Sequence, residues 1–235
     1  MENAAPPGRP LHPAAPQQEN CSSMVIMRVA FFGGTFDPIH RGHLRIASAA
    51  AGAFALDRVL FAPVGNQPLK AKLPISSFAD RLEMTRLALA STTDTLQPAT
   101  CSFVVSTLDA PRPDGQPNYT VDTLAALALE YPAATLFVLT GADSFLTMRK
   151  WRSPGQLLAL AEWIVVSRPE FPLDETQLAE LALTPAQRAR IHLLPTVQDD
   201  VSATELRRRL RTGDPCPGLL PPAVATYIQT HHLYR

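Results

Sequence analysis

Two rhythms of apolar and polar positions alternate along the chain. Short, nearly continuous apolar runs occur at Arg28–Phe32 (RVAFF), Arg58–Ala62 (RVLFA), Ser102–Leu108, Leu136–Thr140 (LFVLT), Glu162–Ser167 (EWIVVS) and Ile191–Leu194 (IHLL). Their length and their apolar content predict strands. Between them the spacing changes. Leu44, Ala47 and Ser48 follow a helical period, and Val121, Leu124, Ala125 and Ala128 mark an amphipathic helix. Ser77-Phe78-Ala79-Asp80 resembles a capping box opening a helix to about Ala90, and Ser202 to Glu205 forms another at the head of a helix reaching Arg211. Pro222 opens a last helix through Gln229. Apolar strands alternating with helices predict an α/β fold, a doubly wound, mainly parallel sheet covered on both faces.

In such a sheet ligands bind beyond the carboxyl ends of the strands. Those ends here carry Gly33 to His43, Asn66 to Lys70, Gly141 to Asp143, Arg168, and Ser202 to Arg207. Unusual polar residues thus gather where the topology wants a site. The first cluster is the most specific. Gly33-Gly34 breaks the first strand and lets backbone approach a ligand closely. Asp37-Pro38 signals a helix start, with Asp as cap and Pro in the first turn. His40 and His43, three apart, project from one face of that turn. A helix start with free amides and two imidazoles suits a polyphosphate. The loop is neither GxxxxGK[ST] nor GxGxxG. The alternatives are that the two histidines only cap or pack, or that they hold a metal with Asp37 as third ligand.

Composition narrows the classes. The chain of 235 residues suits one α/β domain of good size or two small ones. Lys+Arg and Asp+Glu both number 21, so there is no global basic field for nucleic acid, and only Arg207 to Arg211 is locally basic. Three widely spaced cysteines form neither a disulfide framework nor a CxxC zinc site, which fits a reducing, cytoplasmic setting. No apolar run is long enough for a membrane span, and the first twenty residues lack the apolar core of a secretory signal. Residues 1–23, with Pro6, Pro7, Pro10, Pro13 and Pro16, are expected to be a disordered Pro/Ala-rich tail ahead of a single domain over 24–235. The loop Asp109 to Asn118, rich in Pro and Gly, is expected to be mobile.

GGTFDPIHRGH (33–43) contains the HxGH pattern of the nucleotidyltransferase superfamily, and VSATELR (201–207) is similar to its partner motif ISSTxxR. APVGNQPLK (62–70), NYTVDTL (118–124), LTGADSF (139–145) and KW (150–151) follow in order between them. Together, from about Met27 to Tyr234, these resemble bacterial nicotinate-nucleotide adenylyltransferases, which join ATP and nicotinate mononucleotide into the dinucleotide and release pyrophosphate. The resemblance implies a Rossmann-like nucleotidyltransferase fold. It implies that Gly33, Gly34, Thr35 and Phe36 line the dinucleotide by backbone and that His40 and His43 hold ATP phosphates. Gly141, Asp143 and Arg168 would border the adenosine, while Ser202, Thr204 and Arg207 would grip the triphosphate at a second helix start. Tyr119, Thr120 and Trp151 would bound the pyridine, Trp151 stacking on it and backbone amides meeting its carboxylate, with Asn66 also on the nicotinate-nucleotide side. Each has a structural alternative. Trp151 is equally well a core aromatic, Thr120 an N-cap for the helix at Val121, Ser202 and Glu205 only a capping box, and Asp143 a cap. Two departures stand out: Leu69 where the family loop more often has His before Lys70, and Ala203 in place of the second Ser of ISSTxxR.

The nucleophile in this chemistry is a phosphate, already ionised near neutral pH, so no Ser, Cys or general base is needed. Positive donors must instead be preplaced against anion repulsion and the charge growing on departing pyrophosphate. His40, His43, Lys70 and Arg207 are the candidates. Mg²⁺ is expected bound with ATP and held mainly by substrate oxygens and water, with no dedicated protein metal site. Expected partners are ATP and nicotinate mononucleotide, without nucleic acid or membrane, and compatible with a homo-oligomer. Rival classes are an adenylyltransferase acting on nicotinamide mononucleotide or another phosphate acceptor, a class I tRNA synthetase fragment, and a non-catalytic nucleotide sensor.

Overall fold

Strands β1 (Arg28–Gly34), β2 (Arg58–Pro63), β3 (Ser102–Val105), β4 (Thr135–Gly141), β5 (Glu162–Val166) and β6 (Ile191–Leu194) form one sheet. Their order is β3-β2-β1-β4-β5-β6, and every neighbouring pair is parallel. This computed structural model describes residues 26–69, 73–92, 97–167, 173, 175–194 and 202–235. The expected tail over 1–23 lies outside those residues, as do Lys70 and Arg168.

Alternation along the strands divides the core in two. Ala30, Phe32, Phe61, Phe137 and Ile164 face one side, where they meet α1 (Arg41–Ala53), α2 (Phe78–Ala90), α8 (Ala203–Arg211) and α9 (Pro222–Thr230). Val29, Phe31, Leu60, Val138 and Trp163 face the other, against α3 (Thr120–Glu130), α4 (Ala142–Phe145), α5 (Pro154–Leu160) and α6 (Glu175–Glu180). A strand buried on both faces needs apolar residues at every position, which is why the strands read as unbroken runs. The doubly wound sheet expected from sequence is thus present, with α7 (Pro185–Arg188) as a further short turn of helix.

The chain leaves β1 outward through β2 and β3, then crosses back to lay β4 on the other side of β1. The loops after β1 and β4 therefore diverge, and a crevice opens between them at the carboxyl end of the sheet. All the residues of interest hang on this one topological feature.

Several expectations need correction. β3 ends at Val105, not Leu108: the Ser106 amide still donates to the Phe61 carbonyl at 2.8 Å, but the chain beyond turns to brace the loop after β2, where the Gly65 amide donates to the Asp109 carbonyl at 2.7 Å. Within the loop Asp109 to Asn118, Asn118 Nδ2 donates to the Ala110 carbonyl at 2.9 Å. Helix α3 takes Tyr119, not Thr120, as its N-cap residue. The capping box at α8 is half formed. Ser202 accepts the Glu205 amide at 3.1 Å, but the Glu205 carboxylate pairs with Arg208 instead of reaching back.

Candidate active site

Helix α1 does not begin where Asp37-Pro38 indicated. Its N-cap is His40 and its first residue Arg41. The displacement follows from Asp37, whose side chain is 3% exposed and bonds far from its own neighbourhood. One carboxylate oxygen accepts the Ile75 amide at 2.7 Å. The other accepts the Ser76 amide at 3.3 Å, the Ser76 hydroxyl and the Tyr234 hydroxyl at 2.6 Å. An aspartate so engaged cannot cap the helix three residues on.

The turn between β1 and α1 is built on aromatic rings. Phe36 adopts a left-handed φ of 48° and buries its ring, which meets Phe32 edge-on at 5.5 Å and His43 edge-on at 5.0 Å. Holding a bulky residue there costs about 1–2 kcal/mol, and burying a phenyl ring returns about 1.5–3 kcal/mol. The two glycines are needed because the rings press on their backbone. A Cβ on Gly33 would stand 2.8 Å from the Phe31 ring, and one on Gly34 3.0 Å from the Phe36 ring.

His40 is buried and His43 half-buried, their rings 3.8 Å apart. The His40 amide donates to His43 Nδ1 at 3.3 Å. An imidazole that accepts at Nδ1 carries its proton on Nε2 when neutral, so this bond sets His43 as an Nε2–H donor. Not every amide of the helix start is free as the sequence implied, since Arg41 N donates to the Leu219 carbonyl at 3.0 Å.

Across the crevice, Arg207 projects from the second turn of α8. Its Nη1 donates to the Asp37 carbonyl at 2.6 Å and its Nη2 to Thr204 Oγ1 at 3.3 Å. One guanidinium thus ties α8 to the turn before α1, across 170 residues of sequence. A second arginine, missed by sequence reasoning, supports the same turn from below. Arg81 is 1% exposed, and its Nη1 donates to the Thr35 carbonyl at 2.7 Å. Burial lowers its pKa, and the nearby Asp37 opposes that shift. The available signal was phase: Arg81 shares the buried stripe of α2 with Met84, Thr85 and Ala88.

The far end of the crevice is aromatic. Trp151 is half-buried, packs edge-on against Trp163 at 5.9 Å and donates from Nε1 to Thr147 Oγ1 at 3.0 Å. Trp151 thus joins the core at one edge and also lines the crevice. The Arg152 guanidinium lies 4.7 Å from the Tyr119 ring centre. Buried Asp109 also lines this end. It accepts the Thr123 hydroxyl at 2.5 Å, and burial raises its carboxyl pKa against that bond.

These residues bound one cleft of about 840 Å³. Gly33, Gly34, Thr35, Phe36, His40 and His43 line it from β1 and α1, Gly141 and Asp143 from the end of β4, and Ser202, Thr204 and Arg207 from α8. Tyr119, Thr120 and Trp151 close the aromatic end. Asn66 does not line it; the Asn66 amide donates to Asn118 Oδ1 at 2.9 Å and its carbonyl accepts the Asn118 amide at 2.8 Å, which fixes the loop after β2 to the approach to α3. Among the described residues no group of three or more His, Cys, Asp or Glu side chains is placed to hold a metal ion. Nor is any helix among them long and apolar enough to cross a membrane.

A sheet of this order, with two imidazoles and a guanidinium lining the cleft at its switch point, defines a class. A family model described as cytidylyltransferase-like matches residues 31–209, a span that holds both helix starts, and the chain belongs to that family of nucleotidyltransferases. Its relatives narrow the class. A Corynebacterium kroppenstedtii protein is 39% identical over 207 residues, covering 88% of this chain and 90% of its own. A Thermus thermophilus protein is 39% identical over 209 residues, covering 89% and 100%. Each is named "Probable nicotinate-nucleotide adenylyltransferase", and within the class the chain belongs with these nicotinate-nucleotide adenylyltransferases. The fold is shared with Plasmodium falciparum nicotinic acid mononucleotide adenylyltransferase, solved with NaAD, at a TM-score of 0.69 and 17% identity over 88% of this chain and 97% of that one.

Proposed function

We propose that this enzyme transfers the adenylyl group of ATP to the phosphate of nicotinate mononucleotide, giving nicotinate adenine dinucleotide and pyrophosphate in pyridine-nucleotide biosynthesis. The observation that carries the reading is one continuous cleft with two chemically distinct ends. Imidazoles and a guanidinium gather at the β1–α1 and α8 starts, and a Trp–Tyr pocket lies beyond α3.

A phosphate oxygen of the mononucleotide attacks the α-phosphorus of ATP. A P–O bond forms there, and the bond from the α-phosphorus to the bridging oxygen breaks, the electron pair leaving with pyrophosphate. No proton need move at the nucleophile. The protein's part is to hold two anions together and to meet the charge on the leaving group. His43, fixed as an Nε2–H donor, His40 and Arg207 are the groups for the triphosphate, with Ser202 and Thr204 beside them at the start of α8. Lys70, outside the described residues, is a further candidate donor to phosphate, and Arg168, likewise outside, a candidate for bordering the adenosine. The backbone of Gly33 to Phe36 follows the dinucleotide, and Gly141 and Asp143 border the adenosine. Mg²⁺ would come with ATP as part of the substrate, where it would neutralise phosphate charge. The widely spaced cysteines suit a reducing, cytoplasmic setting for this reaction.

Trp151 offers a flat face for the pyridine because its indole is pinned at the Nε1 edge. Trp151→Ala is expected to raise KM for nicotinate mononucleotide about tenfold, the loss of one stacking contact, with KM for ATP within about twofold. A change confined to ATP would remove Trp151 from the pyridine pocket. The function itself is tested by incubating the protein with ATP, Mg²⁺ and either the acid or the amide mononucleotide, following pyrophosphate and the dinucleotide formed. Faster product from the acid is expected. Product from the amide alone would overturn the substrate assignment, and no pyrophosphate from either would overturn the transferase reading.

A further inference from the structure

Asp37 lies in the middle of the phosphate-binding turn, yet the reaction gives its carboxylate nothing to do. An ionised carboxylate has about four lone-pair sites. Four donors come to Asp37: the amides of Ile75 and Ser76, the Ser76 hydroxyl and the Tyr234 hydroxyl. It is occupied as an acceptor and is an anchor. Three of those donors come from the loop before α2, and one comes from a residue 197 positions away.

Resting on the transferase reading above, we infer that Tyr234 is a positioning residue: with Ser76 it clamps Asp37 so that the β1–α1 turn presents His40 and His43 to the phosphates. Three features support this. Tyr234 is 4% exposed and holds a left-handed φ of 62°. A bulky residue persists in that conformation only where its surroundings over-determine it. Its hydroxyl, 3.2 Å from Ser76 Oγ, completes a buried triangle with Asp37 and Ser76. Burial, and after it the Asp37 charge, raises the phenol pKa far above the ordinary tyrosine range, so Tyr234 stays a proton donor at every working pH.

The segment that delivers Tyr234 is itself fastened around the turn. The Leu219 carbonyl takes the Arg41 amide at the head of α1. Val224 and Ile228 enter the core beside α1 and α2, and the Tyr227 hydroxyl donates to Asp80 at 3.0 Å. Helix α2 carries Arg81, whose guanidinium holds the Thr35 carbonyl. The turn from Thr35 to Arg41 is thus held at four points: by Arg81, by Arg207, by the Asp37 clamp and by Leu219. Of these, the Tyr234 hydroxyl can be deleted without altering charge or side-chain shape.

The test compares Tyr234→Phe, Ser76→Ala, Asp37→Asn and the double variant Asp37→Asn/Tyr234→Phe with the unaltered protein. Tyr234→Phe keeps the ring and its burial. A misplaced reacting group costs up to about 10²-fold in rate, so kcat is expected to fall about tenfold, with both KM values within about twofold. Ser76→Ala is expected to act in the same direction. If Tyr234 works through Asp37, the double variant is no slower than Asp37→Asn alone, because the hydroxyl then has no carboxylate to hold. Amide hydrogen exchange supplies a readout independent of activity. Protection should fall over residues 34–43 in Tyr234→Phe and remain unchanged in α3. Unchanged kcat with unchanged exchange would overturn the clamp. So would a loss of protection spread over the whole fold, or effects of the two substitutions that simply multiply. Should the unaltered protein release no pyrophosphate from ATP and nicotinate mononucleotide, the transferase reading fails by itself, and the exchange pattern alone decides the clamp.

Discussion

Replacing His43 by alanine is expected to lower kcat by about 10²–10³-fold, the usual cost of removing one preplaced donor to developing charge. Three local contacts make this side chain harder to replace than its exposure suggests. The His40 amide bonds its Nδ1, the Phe36 ring meets it edge-on, and the His40 ring lies 3.8 Å away. The first fixes the tautomer and the others fix the tilt. The alanine variant loses the donor and the support of the turn together, so the measurement pairs kcat under saturating substrates with a thermal midpoint. A large fall in kcat with a small shift in midpoint is the expected result. Rates near those of the unaltered protein would remove His43 from the phosphate site. His43→Asn is the informative companion. Its amide can accept at one end and donate at the other, so it is expected to recover part of the loss.

The second large effect is expected at Arg207. Its guanidinium reaches the Asp37 carbonyl through Nη1 and Thr204 through Nη2, and the residue lines the cleft. Arg207→Ala should reduce kcat/KM for ATP by at least about 10²-fold, since a charged donor to the triphosphate is removed. It also unties the two helix starts and leaves the Asp37 carbonyl without this donor. An unmet buried acceptor costs about 1–3 kcal/mol, which a thermal midpoint would register. Arg207→Lys is not expected to restore function. An ammonium is a point charge on a flexible stem and cannot bridge a carbonyl, a hydroxyl and a phosphate from one rigid plane. Steady-state kinetics with varied ATP decide it, and a lysine variant at full activity would show that charge alone suffices.

The candidate phosphate-binding residues stood out in sequence because their types and spacing are rare. His40 and His43 after a double glycine, and Ser202, Thr204 and Arg207 at the head of a basic helix, needed no coordinates to be chosen. What supports them did not stand out. Arg81 looks like any polar residue near the start of a surface helix until its buried phase is noticed, and Tyr234 carries no local sign at all. Asp37 was misread for the same reason. As a neighbour of Pro38 it has the form of a helix cap, but its partners are Ile75, Ser76 and Tyr234, and no window of adjacent residues contains them. The helices α4, α6 and α7, of four, six and four residues, are too short to show a period. Asn66 was placed with the mononucleotide from its loop, and only the pairing with Asn118 shows what that loop is tied to.

Local order was therefore written in the chain: six apolar runs that form the sheet, helices between them, and two phosphate-friendly helix starts at carboxyl ends of strands. These follow from side-chain period and backbone chemistry, which act over a few residues. The strand order β3-β2-β1-β4-β5-β6, the crevice it opens and the meeting of Arg207 with the β1–α1 turn came only with the packed structure. So did the buried brace of Arg81, Asp37 and Tyr234. Those arrangements depend on groups brought together across as many as 197 residues, where packing and the need to pair every buried polar atom decide the partner.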